Sequence, residues 1–225
     1  MNKIAIIGGT GNLGFGLARR WALAGQDVVI GSRTADKAEA SATELRELCN
    51  SRGFAGKVSG AANLAAAQAA DIVVLTVPFS HHTPTLEEIK PALAGKILID
   101  TTVPLVSPRV ARVQLPAEGS AAQIAQAIVG EDVRVVSAFQ NVAADLLLSD
   151  AELECDVLVT SDDKDARATV VALVGEAGMR GFQAGALANS AATEAMTSLL
   201  IFINKQYSTH AGIRITGITE RAAEH

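Results

Sequence analysis

Three sets of residues carry the chemistry this sequence offers. The first is Gly8-Gly9-Thr10-Gly11-Asn12-Leu13-Gly14, in which Gly9, Gly11 and Gly14 fit the spacing G-x-G-x-x-G. In such a turn Gly9 makes the tight bend, Gly11 lets a pyrophosphate approach the backbone, and Gly14 lets a helix close on a strand. The preceding Lys3-Ile4-Ala5-Ile6-Ile7 reads as a buried strand, and residues 13–24, stopped by Gly25, read as a helix. A helix opened at Asn12 aims its unpaired N–H groups and its positive dipole end at an anion. A glycine triplet alone is weak evidence, because a purely structural turn has the same composition. Both required flanks are present, and they favour a dinucleotide cradle.

The second set follows another apolar strand, Asp27-Val28-Val29-Ile30-Gly31, and consists of Ser32, Arg33, Thr34 and, one helical turn on, Lys37. A dinucleotide fold inspects the adenosine ribose at this strand end, and an NAD site usually offers a carboxylate to the ribose hydroxyls. Here a 2'-phosphate meets a hydroxyl, a guanidinium fork and an ammonium instead, with Thr10 placed to add a second hydroxyl. The plainer reading makes Arg33 and Lys37 surface charges on a helix capped by Thr34. The missing carboxylate and the two cations together favour NADP.

The third set lies at the ends of later strands. Residues 71–77 form a continuous apolar run, a strand buried on both faces, that ends in Thr76-Val77-Pro78 and continues to His81 and His82. Ligands of open α/β sheets lie at the carboxyl ends of strands. Imidazole is the usual acid or base near neutral pH, but hydride transfer between two conjugated rings requires neither. His81 and His82 therefore read as shaping a nicotinamide pocket, or as capping a helix that begins near Thr83 with Pro84 in its first turn. Adjacent histidines without a third spaced ligand do not suggest a metal site.

Residues 96–100 form the next strand, with Thr101, Thr102, Val103 and Pro104 at the same edge. The loop carrying Pro104, Pro108 and Pro116 reads either as a cover for the site or as a surface excursion. Residues 133–138 read as a sixth strand, ending at Ala138, Phe139, Gln140 and Asn141. The two amides suit a flat polar ring, and equally suit a turn before a helix at 143–148. No catalytic acid, base or nucleophile is assigned.

The elements that must position these groups alternate. Helices are expected at residues 35–49 and 61–70, separated by a glycine-broken loop at 53–60, then up to about residue 94 and at 121–129. A strand at 155–160, a helix at 164–177 behind Ser161-Asp162-Asp163, and a final helix at 190–207 follow. Met196, Leu199, Leu200 and Ile203 form an apolar face on that last helix, for which core packing is the default and a lid or dimer surface the other reading. The pattern defines an α/β chain of Rossmann type: a doubly wound, mainly parallel sheet with a small C-terminal α/β lobe. Residues 1–138 would hold the dinucleotide, and residues 139–225 would bind the acceptor and dimerise.

Composition narrows the function. With 225 residues, 49% of them hydrophobic, one substantial core is within reach. A net charge of −5 and a pI near 5.4 supply no basic stripe for nucleic acid. Cys49 and Cys155 stand far apart, without metal or disulfide-framework spacing. The longest apolar run, residues 195–203, is too short to span a bilayer. With a structural strand at the first residues, no leader and a cytoplasmic location are expected.

The glycine turn, Gly31-Ser32-Arg33 with Lys37, Leu75-Thr76-Val77-Pro78, Ser137-Ala138-Phe139 and Ala184-Gly185-Ala186-Leu187-Ala188-Asn189-Ser190 occur in an order that resembles the coenzyme F420-dependent NADP oxidoreductase family. The resemblance spans nearly the whole chain. It implies a Rossmann domain with a small C-terminal lobe, a homodimer, and hydride transfer between NADP(H) and the deazaflavin F420. It also implies that Thr10, Ser32, Arg33 and Lys37 hold the adenosine phosphate. With the strand-end residues, the expected cofactor set is Gly9, Thr10, Gly11, Asn12, Leu13, Ser32, Arg33, Lys37, Thr76, Val77, Pro78, His81, Val103, Pro104, Ala138 and Gln140.

The acceptor half departs from the family pattern. Members acting on F420 commonly carry a histidine where this chain has Gln140, and an arginine and a serine in the last helix where it has Ala191 and Ala195. Thr197 keeps a hydroxyl. F420 has an acidic tail, so a missing guanidinium removes charge-assisted bonds. Two other readings therefore stand beside F420: an NADPH-dependent flavin or quinone reductase, like the cytosolic domains of membrane ferric reductases, and a non-catalytic NADPH sensor.

Overall fold

In the computed structural model, which describes residues 3–54 and 57–218, strands and helices alternate from the start. β1 (Lys3–Ile7) turns into α1 (Asn12–Leu23), β2 (Asp27–Ser32) into α2 (Ala35–Ser51), β3 (Val58–Ala62) into α3 (Asn63–Gln68), and β4 (Ile72–Leu75) into α4 (Phe79–Ile89). β5 (Ile97–Asp100) is followed by a long loop, α5 (Ala121–Val129) and β6 (Arg134–Ser137). The six strands form one parallel sheet in the order β3-β2-β1-β4-β5-β6. This is the Rossmann order, with its switch point between β1 and β4.

The remainder comprises α6 (Ala144–Leu147), β7 (Asp156–Val159), α7 (Lys164–Glu176), β8 (Arg180–Gln183) and α8 (Ser190–Tyr207). β7 and β8 pair in parallel as a second, two-stranded sheet, and an antiparallel bridge between Ser137 and Thr160 joins it to the end of β6.

Strand side chains alternate between two apolar layers, as the two-residue period requires. Ile4, Ile6, Val28, Ile30, Val74, Ile99 and Val136 face one layer, and Ala5, Ile7, Val29, Val73, Leu75, Leu98 and Val135 face the other. The first layer continues into the C-terminal part through Val157, Val170 and Leu173. Trp21 meets Phe139 edge to face, with ring centroids 5.8 Å apart, and its indole N–H donates to the Leu173 carbonyl at 2.8 Å.

Four expectations change. The glycine-broken stretch before residue 61 contains the edge strand β3, so the helix after it is only α3. Gly60 is there because α2 lies directly on the strand: a Cβ would come within 2.3 Å of the Ala38 carbonyl carbon. α4 starts at Phe79, not near Thr83, because extended Pro78 occupies the N-cap position and its carbonyl accepts the His81 N–H at 2.8 Å. Pro84 thus sits inside the helix, where it forgoes one backbone bond. β8 is a strand that no apolar run announces. On α8 the default of core packing is overturned: Leu199, Phe202, Ile203 and Tyr207 are exposed, whereas Ser190, Thr193, Glu194 and Ser198 are buried with Leu200.

Candidate active site

Two adjoining cavities open where the sheet ends at its carboxyl edge. The first, of about 600 Å³, is lined by Thr10, Ser32, Arg33, Thr34, Lys37, Asn63 and one side of α4. The second, of about 440 Å³, is lined by Asn12, Leu13, Phe79, Thr101, Thr102, Val103, Leu105, Phe139, Gln140 and Thr197. Gly11, Thr76, Val77 and Pro78 line both.

The glycine turn is built for close approach. A Cβ on Gly14 would lie 2.5 Å from Thr76 Oγ1, and that hydroxyl in turn donates to the Ile7 carbonyl at 2.9 Å. Helix and strand are therefore locked together at the floor of the site. A Cβ on Gly11 would meet only the Gly8 carbonyl oxygen, at 3.5 Å, so its open face is free for a ligand. Gly9 lies beneath, buried, with its N–H given to the Ile6 and Gly31 carbonyls, and it lines neither cavity. Gly11 occupies the N-cap of α1 without a side chain to cap it, which leaves the first-turn N–H groups facing outward.

The first cavity collects the cations. Ser32 is nearly buried at the end of β2, and Arg33 and Lys37 flank it. Among the described residues neither cation enters an ion pair. Thr34 has extended N-cap backbone geometry, but its side chain makes no cap bond, so its hydroxyl stays with the cavity. An arginine, a lysine, the hydroxyls of Thr10, Ser32 and Thr34 and a helix N-terminus, with Glu88 on the α4 side as the one carboxylate of the lining, fit a phosphorylated ribose with its pyrophosphate. His81 also lines this cavity and not the second.

The second cavity carries no charged side chain among its lining residues; threonine hydroxyls, the Asn12 and Gln140 side chains and apolar groups make its wall. Val103 and Gln140 reach it, while Pro104 and Ala138 are buried and line neither cavity. Gln140 Nε2 is engaged internally, donating to the Asp100 carbonyl at 2.9 Å and to Ser137 Oγ at 2.8 Å. Asn141 donates to the Thr193 carbonyl and to Thr197 Oγ1, so its amide anchors α8, and it lines neither cavity. Thr197 completes the clamp by donating to the Gln140 carbonyl at 2.9 Å. Ala191 and Ala195 line neither cavity.

Sequence reasoning missed several residues here. Asp100 is wholly buried at the end of β5, where a carboxylate closing an apolar run was the available signal. Its Oδ2 lies 2.6 Å from His82 Nε2, and its Oδ1 accepts the Thr102 N–H at 2.9 Å. Glu194 of α8 is equally buried and accepts the Ala121 and Ala122 N–H groups at 2.7 and 3.1 Å, at the head of α5. Burial pushes its carboxyl up to about 8; the nearby Asp100 adds to this and the two N–H donors oppose it. No helix among the described residues is long and apolar enough to cross a membrane.

A parallel sheet in this order, with a cationic pocket at the end of its second strand, defines a Rossmann-type nucleotide-binding α/β protein. Residues 3–104 match the family model described as NADP oxidoreductase, coenzyme F420-dependent. The chain is 42% identical to the F420-dependent NADP reductase of Methanothermobacter thermautotrophicus, covering 97% of each chain. It is 39% identical to that of Methanocaldococcus jannaschii, over 96% of this chain and 99% of the relative. The chain belongs to the F420-dependent NADP reductase family. Among solved structures, a protein from Arthrobacter sp. FB24 has the same fold with a TM-score of 0.75 at 24% identity, covering 93% of this chain and 96% of that one. The reductive aminase of Aspergillus terreus, solved with NADPH, shares the fold with a TM-score of 0.65 at 19% identity, over 92% of this chain and 63% of that one.

Proposed function

We infer that the protein is an oxidoreductase that transfers hydride between NADP(H) and the deazaflavin F420. The observation that carries this is the contrast between the two cavities: a cationic, hydroxyl-lined pocket meets an uncharged one across Gly11 and Thr76-Val77-Pro78. The first suits a phosphorylated adenosine, and the second suits two stacked planar rings. Full-length relatives named for these two substrates support the pairing.

In this reading Ser32, Arg33, Lys37 and Thr10 hold the 2'-phosphate, and Gly11 with the first-turn N–H groups of Asn12 and Leu13 receives the pyrophosphate. Thr76, Val77, Pro78 and Val103 position the nicotinamide, with Gln140 at the edge of its pocket. Hydride would pass between NADP(H) and F420, and that chemistry would be supplied by the two bound molecules. The protein's own contribution is orientation and exclusion of water; such chemistry requires no ionisable group in the wall, because proximity and alignment account for much of the barrier reduction.

Residues 1–138 then form the nucleotide half. Residues 139–225 form the acceptor and dimer half, in which the exposed apolar face of α8 is the surface for a second copy of the chain. We propose a cytoplasmic location for the enzyme.

The test offers the purified protein NADPH with F420, FMN, FAD or a quinone, and follows loss of the reduced nicotinamide. Turnover with F420 well above the others is expected. Turnover with a flavin or quinone alone overturns the acceptor, and turnover with none overturns the enzymatic reading.

A further inference from the structure

The first cavity has a wall that the phosphate contacts leave unused. Asn63 is the first residue of α3, immediately after Ala62, which is in register with Ser32 across β2 and β3. Its side chain therefore stands beside the strand end where the adenosine ribose is received. It lines the cavity, yet is only 2% exposed. Its Nδ2 lies 3.4 Å from Glu88 Oε2, and its Oδ1 is buried without any protein donor.

A carboxylate only accepts hydrogen bonds, so Glu88 fixes which end of the amide is which. The nitrogen faces α4, and the oxygen is left as a lone acceptor in a pocket sized for a heterocycle. Buried carbonyl oxygens without a donor are rare because their lost hydration is uncompensated. An orphan of this kind in a ligand cavity signals a donor that the ligand brings.

Resting on the NADP(H) assignment above, we propose that Asn63 reads the purine base: Oδ1 accepts from the 6-amino group of adenine, and Glu88 holds the amide in the orientation that makes this possible. A 6-oxopurine places an acceptor against an acceptor and is rejected. Glu88 is a positioning residue, since it acts through Asn63.

The experiment compares NADPH with its 6-oxo counterpart, reduced nicotinamide hypoxanthine dinucleotide phosphate, in direct binding and in kcat/KM. The wild type should favour NADPH by about tenfold or more, the scale of one buried hydrogen bond replaced by an unpaired acceptor. Asn63→Ala should bring the ratio near one. Glu88→Gln, on an exposed helix position where folding is not at risk, should lower it as well, because its amide can present a donor and let Asn63 rotate. Equal binding of both nucleotides by the wild type, or a ratio unchanged in Asn63→Ala, overturns this proposal and leaves the NADP(H) assignment intact. Failure to bind either nucleotide overturns both.

Discussion

His82 and Asp100 face one another at 2.6 Å with both side chains 1% exposed, and the second Asp100 oxygen holds the Thr102 N–H. The pair ties the first half of α4 to the loop that walls the second cavity. Removing one partner leaves a buried carboxylate with a single donor, which is among the more damaging losses a fold can suffer. His82→Ala is expected to lower stability by about 3 kcal/mol in urea unfolding, and His82→Gln, which keeps a donor, by less than half of that. Equal losses would show that packing, not pairing, is what His82 contributes.

In the proposed binding mode, Arg33→Asp replaces a phosphate partner with a repelling carboxylate. NADPH affinity should fall by about a hundredfold, the equivalent of one lost charge-assisted bond, while NADH changes by less than about threefold. Isothermal titration with both nucleotides measures this. An unchanged preference removes the segment after β2 from phosphate recognition.

Glu194 makes stability depend on pH. Its carboxyl stands at about 8 in the folded chain, above its ordinary value, so between those two limits the folded state binds a proton that the unfolded state releases. This contribution is complete at acidic pH and is lost as pH rises through about 8, with a slope of at most about 1.4 kcal/mol per pH unit. Glu194→Gln should flatten the unfolding free energy between pH 5 and pH 8, on the order of the same slope. A profile as steep as that of the wild type would assign the pH dependence to other groups.

Phe202 and Leu199 lie on the outward side of α8, 59% and 51% exposed. Phe202→Lys should convert a dimer to a monomer in sedimentation velocity while leaving the thermal midpoint within a few degrees, because the residue is not in the core. A wild type that sediments as a monomer at micromolar concentration would remove the basis for pairing through this helix.

The central strands were legible because a strand buried on both faces must be apolar throughout, as β1 and β4 are. Edges were not. β3 carries Ser59 and Gly60 since one side of it meets solvent and the other meets the backbone of α2, so neither alternation nor an apolar run survives. β8, half-exposed in a two-stranded sheet, has the same difficulty. At the site, residues whose backbone position follows from a motif, from Thr10 to Leu13 and from Ser32 to Lys37, were readable. The inward turn of Gln140 and the burial of Asp100, Glu194 and Asn63 were not, because each depends on a partner 18 to 73 positions away. α8 misled in the same way: its polar side is the interior one, since Glu194 and Ser190 meet α5 and its cap.

The indole of Trp21, lodged between Phe139 and the Leu173 carbonyl, has a mechanical consequence. α1 and the helices α6 and α7 share one continuous apolar layer, so the two halves of the chain cannot swing apart without exposing it. Widening the groove between them would therefore cost buried apolar contact, which favours one fixed spacing of its walls.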